Sequence, residues 1–246
     1  MAFGQRAAYT LPALSDKVAA SMQAERDMDR CAWGYPSHPE SRVPASVAVL
    51  AAVVLYVTLP DRYTLGPVWL FPALELAMLV PLAIAVPVRH AREATAHRAA
   101  SIALIAIVNV ANAASLVLLV KSLLGGAPAV GTPLTFAAMQ IWITNVIVFG
   151  LWYWELDRGG PSARCTEDHR EPDFLFPQMT TPAAAPMYWT PHFVDYLYVA
   201  FTNATAFSPT DTMPLTSWAK VLMTVQSITS LLTVVLVAAR AVNILS

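Results

Sequence analysis

Charged side chains are missing from this chain over stretches that a soluble domain rarely leaves bare. Residues 99–120, 134–154 and 221–239 contain no Asp, Glu, Lys or Arg. A bilayer core about 30 Å thick takes roughly 20 residues of α-helix to cross. Inside it no water meets an open N–H or C=O, so a spanning segment must close its own hydrogen bonds as a helix. These stretches commit the chain to membrane helices before any other feature is read. Composition agrees, with 57% of residues hydrophobic and 13% charged, against about a quarter charged in soluble domains. The net charge of -1 argues against nucleic acid as a partner.

Residues 1–42 form a polar tail of mixed charge. Ser15 can cap a short surface helix with a thin apolar stripe through Val18 and Met22. The tail has no apolar core followed by a small-residue cleavage site, so insertion is expected from the internal spans. Residues 43–60 read as a first span of marginal length. Residues 66–88 read as a second, kinked at Pro72 and Pro81, and "DRYTL" between the two leaves room only for a tight hairpin. Residues 101–124 make a third span, completing an accessory bundle over 43–130. Residues 134–154 make a fourth, ending in Trp152, Tyr153 and Trp154 in the manner of a headgroup anchor.

The last third has a different rhythm. After a polar, Pro-rich connection over 155–190, "TPHFVDYLYVAFTNAT" offers Thr190 as a cap and Pro191 as a first helical residue, but it is too short to span. A polar turn follows, and then a full span over 217–245. A half-length apolar helix returning through non-helical backbone is tolerated at membrane depth only where it lines a protein-enclosed or water-filled path.

This order resembles the pore module of the tetrameric potassium-channel superfamily. On that resemblance residues 131–246 supply an outer helix (134–154), a pore helix (191–205), a filter-like segment (206–211) and an inner helix (217–243). Ala206, Phe207, Ser208, Pro209, Thr210 and Asp211 stand where the family has T-V-G-Y-G-D. Pro214, Leu215 and Thr216 continue its D-x-x-P-L-T, with Trp218 and Lys220 opening the inner helix. Ala204 and Thr205 fit the end of the pore helix. The resemblance covers about 50 residues, 191–243; residues 1–130 take no part in it.

The departures fall where that family selects its ion. Its carbonyl ladder uses glycines that visit left-handed backbone cheaply. Here those positions are Ser208 and Thr210, for which that region costs roughly 1–2 kcal/mol per residue, while Pro209 fixes its own φ and extends Ser208. A potassium-selective ladder is therefore not expected. Side-chain hydroxyls of Thr205, Ser208 and Thr210, with carboxylates of Asp211, would favour monovalent cations without sorting them sharply. On the resemblance, Gln226, Ser230 and Thr233 of the last span would line the path; packing between helices is the alternative. A plain turn at 206–211, with Thr216 capping the last helix, is the simplest reading of the same residues.

Glu75 is an acid at membrane depth, where it must face protein or water. It is either a proton or ion site, or a neutral acid bonded to Asn109 or Asn112. Asn109, Asn112, Gln140 and Asn145 read as interhelical hydrogen-bond donors and acceptors. The "CTEDHREPD" stretch lacks metal-ligand spacing and reads as a solvated acidic loop. Cys31 and Cys165 are too few for a disulfide framework or a zinc motif. Nucleophile elbows, phosphate loops and voltage-sensor arginines are absent, so neither an enzyme nor a cofactor is expected.

The expectation is an all-α integral membrane protein of a bacterial inner membrane: five transmembrane helices plus a re-entrant helix, a homotetramer in the lipid bilayer, and a weakly selective cation pathway. The alternatives are a non-conducting scaffold with a vestigial pore fold and a proton-coupled transporter using Glu75. Orientation is contested. The tail, residues 89–98 and residues 155–190 share one side and most of the Lys and Arg, which the positive-inside tendency makes cytoplasmic. The resemblance makes the same side external, where Cys31 and Cys165 could pair.

Overall fold

The computed structural model describes residues 40–67, 69, 73, 91–124, 131–161, 163–165, 171–181, 189–206 and 211–245. Among them are α1 (Val43–Val57), α2 (Ala91–Leu124), α3 (Gly131–Leu156), α4 (Pro177–Thr180), α5 (Phe193–Ala206) and α6 (Ser217–Leu245). A two-stranded antiparallel ribbon pairs β1 (Phe174–Leu175) with β2 (Met213–Pro214). Three segments, Arg98–Leu124, Pro133–Gly159 and Ser217–Ala238, are long and apolar enough to cross a membrane.

Two of the five expected spans are not among these. The expected first span yields a helix of 15 residues, about 22 Å long and short of the bilayer core. It ends where Thr58 turns its hydroxyl onto Val54 O ahead of Pro60. The expected second span, with Glu75, Pro72 and Pro81, lies almost wholly outside the described residues. Residues 91–98, which the expected second and third spans leave as a connection, are helix, because α2 starts at Ala91. Ala, Glu and Arg are strong helix formers, so α2 begins well before its apolar run does.

The middle helix is α3, which packs against α1, α2, α5 and α6. Val148, Phe149, Leu151 and Tyr153 of α3 share one buried cluster with Tyr196, Val199 and Ala200 of α5. A second cluster, around Leu59, Tyr63, Leu119, Leu134 and Ile141, closes the opposite end. Gly150 sets the spacing of α3 and α5, since a Cβ there would stand 3.1 Å from Leu197 Cα. Small residues at such crossings let helices approach closely in a bilayer. Gln140 and Asn145 do join helices: Gln140 Nε2 donates to Thr58 Oγ1 (2.7 Å) and Asn145 Nδ2 to Ser230 Oγ (3.0 Å).

The course of α5 can be followed against α3. Phe193 meets Trp154 (ring centroids 5.9 Å apart), and Phe201 meets Trp142 (6.1 Å). Those two tryptophans are about 18 Å apart along a helix axis, so α5 runs antiparallel to α3 from its C-terminal end toward its middle. By Met213 and Pro214 the chain is back at the starting end, paired to Phe174 and Leu175. In and out lie on the same side of the bundle.

Candidate functional site

The first turn of α5 is held by carboxylates. Asp195 Oδ2 accepts the His192 N–H at 2.7 Å, and Glu40 Oε1 accepts the Phe193 N–H at 2.6 Å. An acid at the third helical position reaching back to the cap is half of a capping box, and negative charge suits the positive end of the helix. The helix therefore starts at Phe193, two residues after the Pro191 expected from sequence. Burial pushes the Asp195 carboxyl above its ordinary range, more than the N–H and imidazole of His192 draw it down.

Behind that turn lies a network of buried charge. Past α3 the chain bends through Arg158 (φ 53°), Gly159 (φ 86°) and Gly160 (φ 99°). A non-glycine residue in the left-handed region persists only where its surroundings hold it there. For Arg158 the hold is Asp173, whose Oδ2 accepts the Arg158 N–H at 3.0 Å. Asp173 N–H donates to Asp157 Oδ1 (2.8 Å), and Tyr196 O–H donates to Asp157 Oδ2 (2.5 Å). Asp173 Oδ1 also accepts Trp218 Nε1–H at 2.7 Å. Arg164 Nη1 donates to Trp154 O and Asp157 O, while its guanidinium lies over the Trp154 and Tyr196 rings. Glu40 completes the set, its Oε2 accepting Trp154 Nε1–H at 2.8 Å and standing 3.7 Å from Arg164 Nη2. Buried charges survive only when paired and hydrogen-bonded in this way.

These contacts revise two expectations. Tyr153 and Trp154 are buried rather than set at a headgroup belt; the Tyr153 hydroxyl donates to Gln226 at 2.6 Å. Asp173 is buried too, and it fastens the end of α3 to the ribbon and to α6 instead of belonging to a solvated loop. Among the described residues no cluster of His, Cys, Asp and Glu could hold a metal ion.

Deeper along α5 a polar seam joins it to α3 and α6. Gln226 Oε1 accepts from Tyr153 and from Asn203 Nδ2 (2.8 Å), and Gln226 Nε2 donates to Ala200 O (2.8 Å). Ser227 O–H donates to Asn203 Oδ1 at 3.1 Å. Gln226, Ser230 and Thr233 are all buried inside the single chain. Gln226 and Ser230 bond across to α3 and α5, whereas the Thr233 hydroxyl donates to Thr229 O of its own helix. The outward face of α6 is instead apolar, with Val221, Val225, Ile228 and Leu232 exposed.

At the far end of α5 the arrangement thins. Thr205 is exposed, and its hydroxyl donates back to Phe201 O at 3.0 Å. Asp211 is exposed, and Thr212 beside it is buried. Among the described residues Thr216 Oγ1 has no hydrogen-bond partner, so its hydroxyl does not bond to the first turn of α6. Ala206 closes α5; its side chain, and all of Phe207, Ser208, Pro209 and Thr210, lie outside the described residues, as do Glu75, Cys31 and the Cys165 side chain.

Sequence reasoning passed over Glu40, Asp157, Arg164, Asp173 and Asn203. A signal was present in "WELDRGG", where two acids and an arginine follow an apolar span directly and two glycines end it. Compared with known protein families, curated proteins and solved structures, the chain finds no match.

Proposed function

We propose that this protein is a channel-like, multi-pass protein of a bacterial inner membrane. Four copies would surround a weakly selective cation pathway walled by residues 206–211. One observation carries the reading. A helix too short to cross a bilayer runs into the bundle beside two span-length helices, and the chain comes back to the same end. Such a course at membrane depth is tolerated where it borders a protein-enclosed or aqueous path. The C-terminal end of α5 carries partial negative charge, and the Asp211 carboxylate adds a full one; both favour cations. Five crossings follow if α1 and the segment after it complete the count.

The wall of this pathway is narrower than the resemblance alone implies. Gln226 and Ser230 spend their polar groups on α3 and α5, so the hydroxyl and carboxylate groups near 205–211 carry the selectivity. That same sealing favours a second reading, a scaffold that keeps the fold without conducting. Flux of potassium, sodium, protons and chloride, measured separately in liposomes, decides between them. Cation flux whose selectivity changes in Asp211→Asn is the expected result. A folded, tetrameric protein passing no ion would establish the scaffold.

A further inference from the structure

At the last turn of α3, Glu155 is 1% exposed, and among the described residues neither of its carboxyl oxygens has a hydrogen-bond partner. It lines a cavity of about 40 Å³ between α1, α2 and α3, together with Arg42, Ser46, Ser101, Leu104 and Leu151. Arg98 Nε is likewise buried without a partner among the described residues. Arg98 Nε and Glu155 Oε1 lie 3.3 and 3.4 Å from the point a Cβ on Gly160 would occupy, so the two groups converge on one spot. The charges that act on Glu155 come from every side: Arg42 ahead of α1, Arg98 on α2 and Arg164 past α3. Arg164 is itself shared with Glu40.

The chemistry of this set narrows its ligand. Three guanidinium groups repel a metal cation, and the carboxyl group repels an anion. An unpaired donor and two unpaired acceptors close together call for a molecule offering both, and a cavity of this size, where Arg42, Ser46, Ser101 and Glu155 interrupt a mostly apolar lining, holds one or a few waters. Arg42, Ser46 and Ser101 line the same cavity and are half-buried, which gives such water a route outward.

We propose that Glu155 is a proton-exchange site, in which water held in this cavity meets its carboxyl group, beside the charge of Arg98, and carries protons to and from solution. Uptake forms an O–H bond on the carboxylate as a water-borne proton is given up, and release reverses it. This inference does not depend on the ion pathway at the other end of α5.

Infrared difference spectra of the reconstituted full chain between successive pH values test it. The expected result is a carboxylic C=O band that appears as pH falls, shifts in D2O and is missing from Glu155→Gln. Arg98→Gln, which keeps the carboxyl and lies on another helix, should move the midpoint of that band by about one pH unit, as a neighbouring charge does. The same bands in wild type and Glu155→Gln would overturn the proposal. So would a band indifferent to D2O, or an unmoved midpoint in Arg98→Gln.

Discussion

At its first turn α5 is met by Glu40, Asp195, Asp157 and Arg164, with Trp154 and Tyr196 packed between them. At its last turn the Thr205 hydroxyl donates to Phe201 O and Thr202 O of its own helix, its only partners among the described residues, and Asp211 beyond it is exposed. The first end is tied to three other parts of the same chain, so its geometry is settled within one copy. The second end presents polar groups that the single chain leaves to solvent, ions or neighbouring copies. A buried charge must be matched where it sits, whereas an exposed one can be lost with little effect on folding. The contrast separates residues that hold the protein together from residues free to act.

The hardest blow to that contrast is Asp157→Ala. It removes the acceptor of the Asp173 N–H and the Tyr196 hydroxyl and leaves Arg158 without its 3.7 Å partner. A loss of about 3–5 kcal/mol is expected, as when one member of a buried pair is deleted, read as a fall in the denaturation midpoint in detergent. Asp211→Ala should stay within about 0.5 kcal/mol of wild type in the same assay. Equal effects at the two positions would erase the distinction.

Gly160→Ala comes next. Gly160 has φ 99° and ψ 173°, a region open essentially to glycine alone. A Cβ would also stand 2.8 Å from Glu155 O. About 2 kcal/mol of destabilisation is expected, by the same measurement, and wild-type stability would mean that the turn relaxes without loss. The smallest effect belongs to Gln226→Leu, which frees Tyr153, Asn203 and Ala200 O of a common partner. About 1–2 kcal/mol is expected for those bonds in a bilayer. Because the side chain faces the seam, ion selectivity should not change with it. A selectivity change would return Gln226 to the pathway wall.

Much of the helical layout was legible beforehand. Apolar length located α3 and α6 nearly to their ends, and the shortness of α5 was visible in its own residues. What patterning misjudged were the polar residues. Tyr153 and Trp154 have the amphipathic form of interface anchors, but their polar atoms bond to Gln226 and Glu40. Glu40 and Phe193 are far apart in sequence, and no local pattern pairs them. Asp173 sits in an acidic stretch, and its own residue type does not distinguish it from exposed Glu171; the approach of Arg158 and Trp218 does.

What the sequence determined by itself was membrane-helical character and the order of its apolar segments, because hydrocarbon admits a helix wherever charge is absent for long enough. Tertiary structure alone decided which face of each helix turns inward and which charges are spent on one another. A polar side chain on a span has several possible partners, and only the packed geometry brings one within hydrogen-bond distance. Gln226 shows the difference: its spacing with Ser230 and Thr233 placed all three on one side of α6, and the crossing of α3 and α5 made that side an interior.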